Sequence, residues 1–311
     1  MPDLATPKTL IVIAGPTAVG KTALGIEVAK HYRTEIISAD SRQFFIETEI
    51  GTAKPSADEL TAVKHHFINS HHIHDFFSTG DFEQAAIKLL EELFTKYDVL
   101  VLVGGSGLYI NALLNGLDDL PATDLNIRAQ LNATFLERGL EPIKEQLSVV
   151  DPEYFASVDQ QNPQRLVRGL EFYLSTGQKL SAYLHNTKKK RPFNIIRIGL
   201  NKDRQELYDQ INYRVDLMMD NGLLDEVRSL LPYRSLNALK TVGYSELFDY
   251  LDGLISLEDA INSIKQNTRR FAKRQLTWFR KDSEMMWYHP SQISTLIADL
   301  DVMLVRPKPE L

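Results

Sequence analysis

Eight residues near the N-terminus combine glycines, a lysine and a hydroxyl in the order of a phosphate-binding loop. They are Gly15, Pro16, Thr17, Ala18, Val19, Gly20, Lys21 and Thr22. An apolar run typical of a buried strand precedes the loop at residues 8–14, and helical apolar spacing follows it at 22–32. In this setting backbone N–H groups surround a polyphosphate, while Lys21 adds a positive charge and Thr22 a hydroxyl for a metal ion. The pattern predicts a phosphate site rather than a glycine-rich turn without function.

A carboxylate, Asp40, comes at the end of the next predicted strand, residues 34–40. We expect that strand to lie beside the first one, so that Asp40 faces the phosphate loop and accepts a proton or binds a metal. From spacing alone, Asp40 could equally cap a short helix that starts at Ser41. The apolar run at 98–104 leads into Gly105 and Ser106 without the carboxylate that holds Mg²⁺ in nucleotide-hydrolysing enzymes. This weighs against an ATPase or a small-molecule kinase.

Strand and helix patterns alternate between residues 8 and 115, which predicts a doubly wound α/β core of the P-loop NTPase type with a parallel sheet. Strand signals vanish between 118 and 193, where prolines and glycines separate short helical segments. Residues 194–200 look like a strand that returns to the sheet. Long helices are expected at 204–221, 225–230, 245–251 and 256–280. We therefore expect a catalytic core of residues 1–117 and 194–311, an all-helical insertion domain of residues 118–193, and fraying at 305–311.

The net charge of −6 conceals a basic segment near the C-terminus. Between Asp259 and Asp282 there is no carboxylate, and three aromatic residues accompany the cations. The cations are Lys265, Arg269, Arg270, Lys273, Arg274, Arg280 and Lys281, and the aromatic residues are Phe271, Trp278 and Phe279. On a helix the first five of these cations would form one face. Because an ordinary solvated face mixes both signs of charge, this segment favours a phosphodiester backbone as partner.

Composition excludes several classes of site. The 311 residues include no cysteine, which rules out disulfides, thiolate metal sites and a cysteine nucleophile and fits a reducing cytoplasm. No stretch approaches the about 18 apolar residues of a membrane span, and no signal-peptide pattern is found. Five histidines cluster at positions 65, 66, 71, 72 and 74. Their contiguity at 71–74 suits ligands on one helix face poorly, so an architectural role is favoured over zinc.

Eight ordered motifs, spanning about residues 8–288, resemble the tRNA dimethylallyltransferase family. They are the loop at 15–22, Ser-Ala-Asp-Ser-Arg-Gln (38–43), Ile-Gly-Thr-Ala-Lys-Pro (50–55), Val-Gly-Gly-Ser-Gly-Leu-Tyr (103–109), Asn-Pro-Gln-Arg-Leu-Val-Arg-Gly-Leu-Glu (162–171), Leu-Tyr-Asp-Gln-Ile-Asn-Tyr-Arg-Val-Asp (207–216), Val-Gly-Tyr (242–244) and Lys-Arg-Gln-Leu-Thr-Trp-Phe-Arg (273–280). The resemblance implies transfer of a dimethylallyl group from dimethylallyl diphosphate to the exocyclic amine of adenosine 37, which is 3′ of the anticodon. The implied substrates are tRNAs that read codons beginning with U.

The resemblance also implies residue roles. Asp40 would take the proton, Arg214 would add a cation at the diphosphate, and Thr22 would bind Mg²⁺ in a loop that holds the donor. The adenosine would be flipped out of its stack. Implied contacts to the anticodon stem-loop of tRNA are Asp40, Ser41, Arg42, Gln43, Ser106, Arg128, Gln164, Arg165, Leu166, Val167, Arg168, Lys273, Arg274, Gln275, Trp278 and Arg280.

The sequence departs from the family pattern in three places. Ser106 stands where threonine is common, Gln210 where arginine is frequent, and the arginines that often flank Val-Gly-Tyr are absent. The family is commonly monomeric, and a cytoplasmic enzyme is expected. Three other functions stay open: a small-molecule kinase, an enzyme that prenylates free AMP or ATP, and a pure RNA-binding protein. The insertion domain and the basic helix argue against a mononucleotide acceptor, and the phosphate loop opposite Asp40 argues against RNA binding alone.

Overall fold

A six-stranded parallel sheet forms the centre of the computed structural model, which describes residues 8–185 and 187–305. Its strands are β1 (Thr9–Ala14), β2 (Ile36–Ser38), β3 (His65–His66), β4 (Val99–Gly104), β5 (Asn194–Leu200) and β6 (Met286–Tyr288). The order across the sheet is β3-β2-β4-β1-β5-β6. Alternate residues of β1 enter two different cores, Leu10 and Val12 one and Ile11 and Ile13 the other. The predicted doubly wound α/β core of the P-loop type is confirmed.

Thirteen α-helices accompany the sheet in the described residues. They are α1 (Lys21–His31), α2 (Ala57–Ala62), α3 (Thr79–Leu93), α4 (Gly107–Asn115), α5 (Leu125–Arg138), α6 (Glu141–Val150), α7 (Pro152–Ser157), α8 (Pro163–Thr176), α9 (Arg204–Asp220), α10 (Leu223–Leu230), α11 (Tyr244–Leu251), α12 (Leu257–Phe279) and α13 (Ile293–Val305). Among them, no helix has the length and hydropathy needed to span a membrane.

The prediction that the second strand lies beside the first is wrong. Strand β4 lies between them, with Ala14 of β1 opposite Gly104 and Ser38 of β2 opposite Val103. The six-residue β4 is largely buried, so it occupies a central position, whereas β2 forms only three residues of strand. The carboxyl ends of β1, β2 and β4 nevertheless share one edge of the sheet. The segments that follow these strands are therefore brought together.

Three elements at the margins were not predicted from the sequence. Strands β3 and β6 have two and three residues, which is too short for an alternating pattern to be seen. Helix α13 follows β6 and places Leu296 and Leu300 in the core on one face of the sheet. These segments gain their structure from pairing and packing rather than from a local signal.

The chain divides into two compact units, residues 1–114 with 190–311 and residues 115–189. In its described residues the second unit contains helices and no strand, and it has its own core around Leu147, Leu166 and Phe172. Prolines at the first positions of α7 and α8 and an N-cap residue before each helix explain why these short helices start where they do. The predicted fraying concerns residues 305–311, of which Val305 is the last residue of α13 and 306–311 lie outside the described residues.

Candidate active site

The loop between β1 and α1 has a backbone that requires glycine. Gly15 has φ +153°, and a Cβ there would lie 2.7 Å from the carbonyl oxygen of Leu200. Gly20 precedes α1 with φ +105° and makes no side-chain cap. The first N–H groups of α1 therefore point out of the helix end without a capping side chain, as an anion requires. This geometry agrees with the predicted phosphate loop.

Lys21 carries the positive charge of this loop. Its Nζ donates to the carbonyl of Pro16 over 2.7 Å. Burial lowers the pKa of the ammonium group from 10.5 to about 8; the Asp40 carboxylate opposes this shift, and the Arg214 guanidinium adds to it. Lys21, Asp40 and Arg214 are thus close enough to interact electrostatically. The site therefore combines two cations, Lys21 and Arg214, with one carboxylate, Asp40, and the excess of positive charge favours a diphosphate.

Residues far apart in the chain meet at Thr17. Arg214, on α9, donates from Nη1 to Thr17 Oγ1 over 3.4 Å, and burial lowers the pKa of its guanidinium while Asp40 opposes the shift. Gln275, on α12, accepts the Thr17 backbone N–H at Oε1 over 2.8 Å and donates from Nε2 to the Gly105 carbonyl over 2.9 Å. Gln275 is 7% exposed and forms an internal bridge, and the predicted contact of this residue with tRNA stays a prediction.

A cavity of about 420 Å³ opens next to Thr17 and Asp40. The polar residues that line it include Thr17, Asp40, Ser41, Arg42, Ser106, Arg214 and Arg274, and the apolar ones include Ile211, Val215, Met218, Ile264, Phe271 and Trp278. Such a space suits a small apolar group attached to an anion. Among the described residues that line this cavity, Asp40 is the single carboxylate.

Asp40 does not cap a helix. Residues 41–44 form turns, and the backbone N–H of Arg42 donates to Asp40 Oδ1 over 2.9 Å. Ser106 supports this turn from the end of β4, since its Oγ accepts the Ser41 N–H over 3.0 Å and lies 3.2 Å from the Ser41 hydroxyl. One carboxylate oxygen is therefore used to orient the side chain in the cavity. The hypothesis that Asp40 caps a helix is therefore wrong, because turns rather than a helix follow it.

Two residues predicted to contact tRNA are occupied elsewhere. Arg42 lines the cavity, but its guanidinium donates to the carbonyls of Asn237 and Ala238 over 2.9 and 3.2 Å. Gln43 donates from Nε2 to the carbonyls of Thr52 and Ala53 over 3.2 and 3.0 Å. These bonds do not test the predicted contact of the two residues with tRNA, which stays a prediction. They join the turn after β2 to neighbouring loops.

The basic helix does not present a single cationic face. On α12, Lys265 pairs with Asp216 at 2.5 Å and Arg269 donates to Asn212 Oδ1 over 2.5 Å, so both are directed at α9. A groove of about 430 Å³ is lined by four of the other cations, Arg270, Lys273, Arg274 and Lys281, together with Thr277 and Trp278, whereas Arg280 lines a different cavity. In the described part of the chain, Lys273, Arg274 and Arg280 form no ion pair. We call the groove lined by Arg270, Lys273, Arg274, Thr277, Trp278 and Lys281 the α12 groove.

The helical unit holds the other predicted RNA contacts. Glu171 is fully buried, and its Oε2 accepts from Arg128 at 3.0 and 2.9 Å and lies 3.6 Å from Arg168. Gln164 and Arg165 are exposed at the start of α8. The side chains of Leu166 and Val167 are 0% and 5% exposed in the core of this unit, so the expectation that they contact RNA is corrected. They are apolar and face inward because α8 is amphipathic.

The histidine-rich stretch is tied to the fold. His66 Nε2 lies 2.5 Å from Glu35 Oε2, His72 Nδ1 lies 2.8 Å from Glu47 Oε1, and His71 stacks on Phe77 at 3.9 Å between centroids. Within residues 8–185 and 187–305, no group of three or more His, Cys, Asp or Glu side chains could hold a metal ion. The histidines hold loops together.

One wall of the cavity was missed from the sequence. Gly51 and Thr52 line it, and a single carboxylate, Glu226 on α10, fixes their segment. Glu226 accepts the backbone N–H groups of Glu49, Ile50 and Gly51 over 3.0, 2.7 and 3.0 Å and the Tyr244 hydroxyl over 2.6 Å. The motifs at 50–55 and 242–244 signalled these segments through family resemblance, but nothing in the sequence pointed to Glu226.

Comparison with known proteins gives consistent matches over nearly the whole chain. The IPP transferase family model matches residues 43–282. The tRNA dimethylallyltransferase of Christiangramia forsetii is 56% identical over 290 residues, which cover 93% of this chain and 96% of the relative. The crystal structure of a tRNA isopentenylpyrophosphate transferase from Bacillus halodurans matches at 37% identity with a TM-score of 0.70, covering 96% and 97%. A eukaryotic dimethylallyltransferase acting on tRNA matches at 26% identity with a TM-score of 0.79, covering 97% of this chain and 81% of the other.

Proposed function

The chain belongs to the IPP transferase family, and we propose that it transfers a dimethylallyl group from dimethylallyl diphosphate to the exocyclic amine of adenosine 37 in tRNAs that read codons beginning with U. The observation that carries this proposal is a shared cavity. The proton acceptor Asp40, the phosphate-loop residue Thr17 and the apolar side chains of α9 and α12 all line the same space of about 420 Å³. A donor with an anionic head and a short apolar tail suits a cavity that is lined by both polar and apolar side chains.

The diphosphate of the donor binds to the loop of residues 15–22 in this proposal. The N–H groups at the start of α1, the Lys21 ammonium and the Arg214 guanidinium stabilise the negative charge that grows on the leaving diphosphate as the allylic C–O bond breaks. Because these groups are fixed before the donor arrives, little reorganisation is needed at the moment of reaction. The apolar side chains Val215 and Met218 line the same cavity and suit the dimethylallyl group.

The residues also fit a bound Mg²⁺ ion. The Thr22 hydroxyl, in the first turn of α1, has no hydrogen-bond partner among the described residues, and a hydroxyl beside phosphate oxygens and water is a common magnesium environment. Thr22 would hold the ion against the diphosphate. When bound, Mg²⁺ would neutralise part of the charge on the leaving group. The absence of a carboxylate at the end of β4 fits an ion held largely by the ligand itself.

Asp40 serves as the proton acceptor. The adenine amine attacks the allylic carbon, the C–O bond electrons leave with the diphosphate, and the proton from the amine passes to Asp40. Its Oδ1 is oriented by the Arg42 N–H, which leaves Oδ2 for the amine. Positioned proton transfer of this kind contributes about 10²- to 10⁴-fold to a rate. The adenine must leave its stack to reach Asp40, so base flipping is part of the proposal.

The α12 groove supplies cations and an aromatic surface for RNA. Lys273 and Arg274 form no ion pair within the described residues, and Trp278 is 43% exposed beside them. Cations of this kind bind phosphates, and an exposed indole stacks on an unpaired base. In the helical unit, Arg165 is exposed and Arg128 is held by Glu171, and we propose that both contact the anticodon stem-loop. We propose that the protein acts as a monomer in the cytoplasm, where tRNA is used.

Transfer of label to RNA tests the proposed function. The protein is incubated with Mg²⁺ and radiolabelled dimethylallyl diphosphate, together with unmodified tRNA, AMP or ATP in separate reactions. We expect label only in tRNA, at adenosine 37, and none after adenosine 37 is replaced by guanosine. Label in AMP or ATP would instead identify a mononucleotide prenyltransferase. Phosphorylation of a small molecule at the expense of ATP, without prenyl transfer, would identify a kinase.

A further inference from the structure

Gln275 joins two segments of the active site from a helix that carries RNA-binding cations. Its amide oxygen accepts the Thr17 N–H of the phosphate loop over 2.8 Å, and its amide nitrogen donates to the Gly105 carbonyl at the end of β4 over 2.9 Å. A Cβ at Gly105 would lie only 2.5 Å from this nitrogen, so the glycine makes room for the amide. The bridge is buried, since Gln275 is 7% exposed.

The two backbone groups require a hydrogen-bond acceptor at one position of the Gln275 side chain and a donor at the other. Thr17 presents a donor and Gly105 an acceptor, so the Gln275 amide satisfies both in one orientation only. Loss of these bonds would leave the buried Gly105 carbonyl and the partly buried Thr17 N–H without their partner, which is unfavourable. The Thr17 N–H is also taken by Gln275, so it is not among the amides that can bind a phosphate. The contribution of Gln275 to the site is therefore to hold Thr17 in place.

The position of Thr17 matters because its hydroxyl receives the Arg214 guanidinium, 3.4 Å away. Thr17 and Arg214 both line the cavity in which the leaving group would form. A shift of the loop at Thr17 would therefore move the hydroxyl and the guanidinium together. Displacements of about 1 Å in such groups have large effects on rates.

We propose that Gln275 is a positioning residue for the donor site and not a reader of RNA. It sets the orientation of Thr17, and through Thr17 that of Arg214, against the diphosphate. This inference rests on the proposed function for the identity of the donor. Lys273 and Arg274, its neighbours on α12, face the α12 groove and serve the RNA instead.

A pair of matched substitutions on α12 tests this role. Gln275→Leu removes both hydrogen bonds at nearly constant volume, and Gln266→Leu makes the same change at an exposed position of the same helix. For Gln275→Leu we expect the Kd of inorganic diphosphate with Mg²⁺, and the KM of dimethylallyl diphosphate, to rise about tenfold or more. The Kd of an anticodon stem-loop should change by less than about twofold. Gln266→Leu should leave all three constants unchanged.

A charged variant gives a readout that general destabilisation would not produce. In Gln275→Glu an ionised carboxylate can still accept from Thr17 but repels the Gly105 carbonyl, whereas the protonated acid restores both bonds. We expect its diphosphate affinity, relative to the unsubstituted protein, to recover as the pH is lowered toward about 5. The recovery should not occur in Gln275→Leu.

Two results would overturn the inference. One is weaker binding of the stem-loop by Gln275→Leu with unchanged diphosphate affinity, which would make Gln275 an RNA reader. The other is identical behaviour of Gln275→Leu and Gln266→Leu. Prenylation of tRNA by the unsubstituted protein is measured in parallel. If that activity is absent, the proposed function fails, while the diphosphate measurements still decide whether Gln275 positions the phosphate loop.

Discussion

The affinity of the loop for diphosphate should depend on the protonation of Lys21. Burial, partly opposed by Asp40 and reinforced by Arg214, lowers the pKa of this ammonium group to about 8 in the unliganded protein. A bound diphosphate favours the charged form, so the pKa rises in the complex. Affinity should therefore be at its plateau below about pH 8 and should fall above it, by about tenfold per pH unit until the pKa of the complex is reached.

Calorimetric titration with inorganic diphosphate and Mg²⁺ measures this effect. Close to pH 8 the binding event should take up about half a proton, which appears as a dependence of the measured heat on the ionisation enthalpy of the buffer. The diphosphate itself also titrates in this range. For that reason, the quantity that reports on Lys21 is the difference between the unsubstituted protein and Lys21→Arg, whose guanidinium stays charged.

Lys21→Arg should bind diphosphate more weakly at neutral pH because the larger group fits the loop less well. Its affinity should change with pH only as far as the ligand requires. The reasoning would be refuted if the two proteins showed the same slope between about pH 7 and pH 9. It would also be refuted if binding to the unsubstituted protein took up no more protons than binding to Lys21→Arg, since Lys21 would then gain no proton on binding.

Three further predictions concern single residues of the active site and its walls. Asp40→Asn keeps the acceptor for the turn N–H but cannot take a proton, so turnover should fall by about 10²- to 10⁴-fold with tRNA affinity retained; normal turnover would remove Asp40 from the chemistry. Glu226→Ala leaves four donors without their shared carboxylate, and the free energy of unfolding in urea should fall by about 2–4 kcal/mol. The exposed Glu258→Ala should change it by less than about 0.5 kcal/mol, and equal effects would contradict the assigned role. Gly15→Ala places a methyl group 2.7 Å from a backbone carbonyl and should abolish measurable diphosphate binding, whereas Gly80→Ala meets only an ordinary contact of 3.7 Å and should bind normally.

Much of the fold could be predicted from the sequence because its signals are local. The apolar run before the loop, the glycines within it and the helical spacing after it lie within about two dozen residues, and each acts on its own neighbourhood. Strands 99–104 and 194–200 were also visible, since the first is a continuous apolar run and the second is mainly β-branched and apolar. Strands β3 and β6 were missed because two or three residues are ordered by their partners and not by their own pattern.

The tertiary structure decided which residues meet and which side chains remain free. Thr17 contacts Arg214 and Gln275 across 197 and 258 positions, and β4 separates β2 from β1 although it follows both in the chain. The charges of Lys265 and Arg269 look like those of Lys273 and Arg274 in the sequence, yet the first two are bound to α9 and the last two line the α12 groove. The sequence alone specifies which residues are charged and which are apolar. Only the packing of distant segments determines whether a charged side chain already has a partner. The reason is that the core as a whole selects among many possible partners.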